Sequence, residues 1–598
     1  MLKSHSCGEL NKKHVSMAVT LAGWVDRRRD HGGLIFIDLR DREGVTQVVF
    51  NPEVSELSHK IADQLRSEYV ISITGKVSLR PAGTENTKLP TGEIEIVADG
   101  ICILNTSKTP PFYINEDIDV EENLRLKYRY LDMRRTKLKE NLLLRARVIR
   151  FMRNFLESRG FMEVETPILL KSTPEGARDY LVPSRLHPGK FYALPQSPQQ
   201  MKQLLMVGGI EKYYQIARCF RDEDTRADRQ PEFTQLDLEM SFVEEEDVIK
   251  LFEELFTSLI KTIKPEYRLF SPFPRLTYAE AMDRFGSDKP DLRFGLEIKD
   301  LSDIVAKSEF AVFRNTIAEG GQVKGICAPQ CAGFTRSQLD ELNKFAQSCG
   351  AKGLVTIALN TAPGSLKNME NIKSAVAKYL NIDQVQQIAQ RLGASAGDLL
   401  LIIAGKGDTV SLSLGELRKE MGKRLGLADP NLFAFGFIID FPLLEWNKDA
   451  NRWQAMHHPF TEPKKDDVAL LDTLPEKAHG KHYDMICNGF EIGGGSIRIH
   501  NAQLQRKVFH IMSYKDEEID RLFGHMLEAF EYGAPPHGGI AAGLDRLVML
   551  LAGESTIRQV IAFPKNQNAV DMTFDAPAEV TQAQIDELHI KLVKDEQT

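Results

Sequence analysis

Between residues 213 and 240 the chain reads YYQIARCFRDEDTRADRQPEFTQLDLEM, and a period-two alternation predicts two strands joined by a long charged loop. In the second strand Thr234, Leu236, Leu238 and Met240 share one face, while Phe233, Gln235, Asp237 and Glu239 share the other. Arg221 ends the first strand, followed by Asp222 and Glu223, and the loop carries Arg226, Arg229 and Gln230. The composite is a pleated surface with an acidic floor and an arginine rim. It suits a substrate with an ammonium group at one end and phosphates at the other. The same pattern also fits an exposed hairpin whose polar face is merely solvated.

A second group of chemical residues lies in YDMICNGFEIGGGSIRIH. Asp484 and Glu491, separated by an apolar stretch, can hold Mg²⁺ with phosphates completing its shell. Glycines at 493, 494 and 495 leave room for a ligand close to the backbone. Arg498 offers a planar guanidinium able to grip a carboxylate with two bonds. A neutral amide there would leave the buried charge unpaired, at a cost of about 2–5 kcal/mol. In GAPPHGGIAAGLDRLVMLLAG, Gly538, Gly539 and Gly543 thin a strand, and Arg546 falls in the first turn of a helix starting near Leu544. A guanidinium there can stack on a flat base or meet outer phosphates, although a lone GLDR is also an ordinary strand-to-helix turn. His457 and His458 are adjacent, so in a strand they point to opposite faces and rarely share a metal. Cys327 and Cys331 are the one close cysteine pair, without the second pair of a four-ligand zinc site.

The elements that must position these groups need several domains, since 598 residues exceed what one core supports. A composition of 42% hydrophobic and 27% charged residues is that of an ordinary soluble protein. The net charge of -8 excludes a global attraction to nucleic acid, so any RNA contact must come from local basic patches. Seven cysteines without regular pairing predict a reducing compartment. MLKSHSCGELNKK has neither an export core nor transit-peptide character, and FAFGFIIDFPLL is interrupted by Asp440 and Pro442. The expectation is a cytoplasmic protein with no membrane span.

Residues 1–105 read as five short strands with a helical segment near 61–66, the pattern of a small OB-type barrel. Arg27, Arg28 and Arg29 leave the first strand together, and Phe36 and Gln47 lie on the next two. Charge beside an aromatic suits unstacked RNA bases, at about 1–3 kcal/mol per stacked base. Equally, Phe36 fits barrel core and the arginines a solvated edge. Pro110, Pro111 and RLKYRYLDMRR read as a hinge over 106–135, or as a solvated helix. Leu142, Ala146, Ile149, Met152 and Leu156 have helical spacing with Gly160 as a stop, and FMEVETPIL follows as a strand. Residues 288–415 mix helical and strand segments without charge clusters, and no chemistry follows from them.

In order, these stretches resemble the class II aminoacyl-tRNA synthetases. FRDED followed by EFTQLDLEM is similar to their motif 2 in its aspartate-specific form. The helix, strand and Pro167 resemble motif 1, and GAPPHGGIAAGLDR resembles motif 3. GWVDRRRDHGGLIFIDLRDREG resembles the anticodon-binding barrel of the aspartyl, asparaginyl and lysyl members, in its bacterial aspartyl form. Residues 288–415 resemble the insertion of bacterial-type aspartyl synthetases, a relative of a domain in tRNA-dependent amidotransferases. The resemblance implies a multidomain α+β protein. It has an OB barrel at 1–105, a hinge at 106–135, a catalytic domain split into 136–287 and 416–598 with a C-terminal extension, and an α/β insertion at 288–415. Its catalytic sheet is antiparallel with flanking helices, and motif 1 forms a homodimer.

The implied activity is ATP-dependent attachment of L-aspartate to tRNA through aspartyl-adenylate, with Mg²⁺ accompanying ATP. By the same resemblance Glu175, Gln199, Lys202, Asp237, His457 and Arg498 bind aspartate together with Arg221. ATP would meet Arg221, Asp222, Glu223, Gln230 and Glu491, and then Gly543, Leu544, Asp545 and Arg546. Arg221 and Arg546 are the catalytic pair, and Asp484 with Glu491 the metal ligands. Arg29, Phe36, Gln47 and Glu95 would contact the anticodon. His31 and Gly83 resemble relaxed enzymes that charge tRNA(Asp) and also tRNA(Asn), a prelude to amidation by an amidotransferase. A small Gly83 would remove a discriminating contact near the third anticodon base, C in one tRNA and U in the other, and His31 can donate or accept. The alternatives are an enzyme restricted to tRNA(Asp), a small-molecule ligase making asparagine, and a non-catalytic RNA-binding relative.

Overall fold

The computed structural model describes residues 2–173, 175–366 and 369–593. Pro174, in the STPEGARD stretch, and the last five positions of the predicted C-terminal extension lie outside them. The chain forms two compact units, one of residues 2–146, 225–230 and 552–580, the other of 147–224, 231–551 and 581–593.

The first unit holds a closed five-stranded barrel, with Ala18–His31, Leu34–Arg40, Val45–Phe50, Ile94–Asn105 and Val70–Leu79 neighbouring in that order. Alternation drives it: Leu21, Val25, Ile35, Ile37, Leu39, Val48, Ile71 and Ile73 point inward and are buried. The three arginines do not leave the first strand. It runs on to His31, which pairs with Leu34 across Gly32 and Gly33, both at positive φ (62° and 81°). That two-residue turn matches the twist of the strands, so the hairpin extends to its tip. The helix is Glu56–Asp63, earlier than the 61–66 stretch, because the Ser55 hydroxyl accepts from the Ser58 amide and fixes its start. The basic segment after Pro111 is not solvated throughout. Arg129 is buried, donating to the carbonyls of Arg558, Ile561 and Ala562 and to Asp132.

The second unit is built on an eight-stranded sheet. Its order is Arg275–Thr277, Phe435–Ile439, His482–Cys487, Phe490–Ile497, His537–Gly543, Glu232–Ser241, Lys212–Phe220 and Met162–Glu163. The six central strands are antiparallel, and the two edge strands join in parallel. The helix read from Leu142 onward spans Thr136–Glu157, with Gly160 at φ 79° after it, and FMEVETPIL contributes only the two-residue edge strand.

The same unit contains a five-stranded antiparallel sheet ordered Lys299–Asp300, Gln322–Ala328, Leu399–Gly405, Val355–Leu359 and Ile372–Lys373. Its strand LLLII is buried on both faces, Leu400 and Ile402 in one core and Leu401 and Ile403 in another. The helix Gly407–Arg424 runs straight through 415, so the composition change there falls inside an element. Cys327 faces Asp398 and Cys331 the Pro329 carbonyl, burial pushes both thiols up, and neither belongs to a three-residue metal cluster among the described residues. Among the described residues no helix is long and apolar enough to cross a membrane.

Candidate active site

The motif-2 hairpin pairs Glu232–Ser241 with Lys212–Phe220, and the other edge of Glu232–Ser241 pairs with His537–Gly543. Both edges of the central strand are therefore paired. Asp237 and Glu239 are buried, not solvated, and each is met by a cation brought from elsewhere in the chain. Lys202, on the helix Gln199–Val207, lies 2.7 Å from Asp237 and 3.1 Å from Glu239. Arg498 donates from Nε to Glu239 at 2.9 Å, from Nη2 to its other oxygen at 3.3 Å, and from Nη1 to Ser496 at 2.7 Å. Burial opposes ionisation of Glu239, but Arg498 and Lys202 overcome it and hold the carboxyl down to about 2. Asp237 is held up by burial despite Lys202.

The Nε/Nη2 edge of Arg498 is thus already occupied by Glu239, which aims the rest of the guanidinium. Glu239 is a positioning residue that the sequence placed on the right face without a role. Buried atoms near this network without a hydrogen-bond partner include Oδ2 of Asp237, Nε of Arg221 and Nε2 of His458. The Arg221 guanidinium also sits 5.1 Å from the centre of the Phe233 ring. Orphaned buried polar groups of both signs suit a polar ligand.

His458 lies among these cations. Burial, then Arg498 and Lys202, and then His482 and Arg221, push its imidazole well down, so it is neutral. His457, the residue expected over aspartate, stacks on His482 with ring centres 3.9 Å apart. Glu175 is half-buried and accepts from the Ser197 hydroxyl at 2.9 Å. Burial pushes its carboxyl up to about 7, against the pull of Ser197 and Arg221. Below that pH it is neutral and above it ionised. If it holds the substrate ammonium, the aspartate KM is expected to fall up to about tenfold from pH 6 to 8, and Glu175→Gln to flatten the profile. Steady-state kinetics across that range check this.

Asp484 stands opposite Gly494 across the strand pair, and a bulge at Ile492 separates Gly493 from Glu491. A Cβ at Gly494 would lie 2.7 Å from Asp484 Oδ1 and 3.9 Å from Glu491 Oε1, so both carboxylates converge on that glycine. Burial and the Asp484 charge raise Glu491, whereas Asp484, although buried, is kept low by His482, 2.8 Å away, and His457. A buried, mutually repelling carboxylate pair fits a divalent cation. Among the described residues His457, His482 and Asp484 form the one three-residue cluster whose ligand atoms lie close enough to share a metal. Arg546 reaches the same strand, donating to the Glu491 carbonyl at 2.9 Å.

The glycines serve the protein more than a ligand. A Cβ at 493, 495 or 538 would strike a neighbouring strand, and at 539 it would strike Glu239 as well. Of these glycines Gly543 alone would take a Cβ at ordinary contact distance, its nearest neighbour being the Ile492 carbonyl at 3.7 Å. Leu544 and Asp545 are buried, and Asp545 accepts from the Thr234 amide at 2.9 Å, tying motif 3 to motif 2. The amide of Asp222 bonds the Arg178 carbonyl and that of Glu223 the Arg221 carbonyl. Gln230 belongs to the first unit, where its amide engages both backbone groups of Lys565.

On the barrel, register places Arg29 opposite Phe36, and Gln47 next to Asp38 on one side and Glu95 on the other. Arg29 forms two bonds with Asp38 at 2.6 and 2.8 Å and a third with Gln47, and Gln47 donates to Glu95 at 2.9 Å. The four expected anticodon residues therefore share one face. Phe36 is half-exposed, while Ile35 and Ile37 supply the core. His31 is exposed, and Gly83 sits at φ 86° with nothing near its Cβ position.

Residues 121–567 match the tRNA synthetases class II (D, K and N), and residues 19–104 match the OB-fold nucleic acid binding domain. With most of its length so matched, the chain belongs to the class II tRNA synthetases of the D, K and N group. It is 59% identical over 594 residues to the aspartate–tRNA(Asp/Asn) ligase of Dehalococcoides mccartyi strain CBDB1, covering 99% of each chain. It is 53% identical to the aspartate–tRNA(Asp/Asn) ligase of Natranaerobius thermophilus, covering 99% of this chain and 100% of that one. Among solved structures, asparaginyl-tRNA synthetase from Pyrococcus horikoshii complexed with asparaginyl-adenylate shares the fold. It has a TM-score of 0.58 at 19% identity, covering 94% of this chain and 98% of that one.

Proposed function

We propose that this chain is an aspartate–tRNA(Asp/Asn) ligase. The observation that carries the amino acid is the charge of the pocket. Lys202, Arg221 and Arg498 crowd one neutral histidine, and Glu239 and Asp237 oppose them from the floor, with Glu175, pushed up towards neutrality by burial, beside Arg221. An acidic side chain completes that balance, and an amide leaves a cation unpaired.

The α-carboxylate of aspartate attacks the α-phosphorus of ATP, and the bond to pyrophosphate breaks. Lys202 and Arg498 hold the side-chain carboxylate, and Asp237 and the Gln199 oxygen accept from the ammonium. Arg221 neutralises the reacting phosphate, and Arg546 holds the outer phosphates. Asp484 and Glu491 would hold Mg²⁺, which when bound offsets phosphate charge. The terminal ribose hydroxyl of tRNA then attacks the adenylate carbonyl and AMP leaves, with no protein nucleophile.

The barrel face of Arg29, Phe36, Gln47 and Glu95 reads the anticodon. Phe36→Ala is expected to weaken tRNA binding by about 1–3 kcal/mol while leaving adenylate formation intact, as filter binding and pyrophosphate exchange together measure. Exposed His31 and the open loop at Gly83 favour acceptance of tRNA(Asn), whose product an amidotransferase would amidate. Met162, Ile168 and Leu169, exposed around motif 1, suit a homodimer. The unpaired cysteines fit the cytoplasm. The function is tested by exchange of labelled pyrophosphate into ATP. Exchange with aspartate and not asparagine supports it, and equal exchange with both, or none with aspartate, contradicts it.

A further inference from the structure

We propose that His537 and Gln203 form a one-way hydrogen-bond relay that sets the orientation of the Gln199 side-chain amide, so that the pocket presents an acceptor and not a donor to the substrate ammonium. The proposal rests on the reading that Gln199 meets that ammonium. All three side chains are buried: Gln199 and Gln203 lie one turn apart on the helix Gln199–Val207, and His537 opens the strand His537–Gly543.

The direction of the relay follows from hydrogen-bond chemistry. Nδ1 of His537 is 2.8 Å from the Pro535 carbonyl, which can only accept, so Nδ1 carries the hydrogen. In a neutral imidazole the other nitrogen is then a bare acceptor. Gln203 Nε2, 3.2 Å from His537 Nε2, must donate to it. That turns the Gln203 oxygen towards Gln199, whose Nε2 donates to it at 3.1 Å. The Gln199 oxygen is left facing away from the relay, with no hydrogen bond among the described residues. Asp237 Oδ2 is bare as well, and the two oxygens together offer an ammonium two acceptors.

Burial pushes the His537 imidazole down, and Arg498 and His500 add to this against Glu239 and the Pro535 carbonyl, so the neutral form is the one present. A donor at the His537 Nε2 position would reverse every step. Gln203 would turn its oxygen to residue 537, and Gln199 would turn N–H groups towards the ammonium.

The test is aspartate-dependent pyrophosphate exchange by the full chain carrying His537→Phe, His537→Gln or Gln203→Met. His537→Phe removes the acceptor, and Gln203→Met breaks the relay at its middle. Each is expected to raise the aspartate KM about tenfold or more, with kcat and the ATP KM within about twofold, since uniform binding is lost and not transition-state contact. His537→Gln, whose side-chain oxygen can accept from Gln203 while its NH2 group turns to the Pro535 carbonyl, is expected to restore the aspartate KM to within about threefold of the unsubstituted protein. An unchanged aspartate KM in both disruptive variants overturns the relay while leaving aspartate activation standing. So does a parallel loss in kcat and both KM values without rescue by glutamine, which marks a purely structural role. No aspartate-dependent exchange in the unsubstituted protein overturns the underlying reading and the relay with it.

Discussion

Arg498→Leu is expected to abolish aspartate-dependent pyrophosphate exchange. The guanidinium is buried and bonded to Glu239 and Ser496, so leucine removes one partner of a buried ion pair and leaves the other. Such truncations cost about 2–5 kcal/mol, which is roughly 30-fold to several-thousand-fold in rate or affinity. Two losses combine. The substrate carboxylate loses its cation, and Glu239, held at about 2 by Arg498 and Lys202, keeps only Lys202. Lys202 is then drawn more strongly to Glu239 and is less available to the substrate. Arg498→Lys keeps the charge but cannot span Glu239 and Ser496 together, and is expected to fall between the two proteins. Thermal melting separates lost activity from lost folding. Retained exchange with aspartate in a folded Arg498→Leu protein would show the carboxylate grip to be misassigned.

Glu491→Gln is expected to move activity and stability in opposite directions. The Glu491 carboxyl is raised by burial and by Asp484, so its ionised form destabilises the folded protein at neutral pH. With a folded pKa above the unfolded one, the penalty is absent below the unfolded pKa, grows as pH rises towards the folded value, and is complete above it. Glutamine removes that penalty without changing shape, so the melting temperature at pH 7–8 should hold or rise. Pyrophosphate exchange should fall by about a hundredfold or more, and half-saturation by Mg²⁺ should shift upward, because a cation-binding carboxylate is gone. An unchanged Mg²⁺ titration would mean that the carboxylate pair is not the cation site.

Much of this site was legible because strand alternation is local. A period of two put Asp237 and Glu239 on one face of the motif-2 strand. Arg29, Phe36, Gln47 and Glu95 were grouped only by the family resemblance, and their common face comes from the barrel register. The partners of those residues were not legible, because they arrive from distant segments. Nothing near Glu239 in sequence indicates Arg498 or Lys202, and nothing near Gln203 indicates His537. The histidines show the same limit. His457 and His458 lie beyond the strand Arg452–Ala455, so strand alternation does not decide which of them meets the cations; the loop after Ala455 does. The glycines at 493–495 and 538–539 were legible as close approaches, but what approaches is mainly the next strand and the site's own carboxylates. Gly83 carries a backbone constraint that composition hides. At φ 86° any side chain there is strained, so a contact-forming residue at 83 requires the loop itself to change.

The central claim is most directly tested by charging purified, unmodified tRNA(Asp) and tRNA(Asn) with labelled aspartate, side by side, at matched enzyme concentration. Comparable rates on both tRNAs are the predicted result. Charging of tRNA(Asp) alone would contradict the relaxed specificity read from His31 and Gly83, and charging of neither would contradict the assignment of the site.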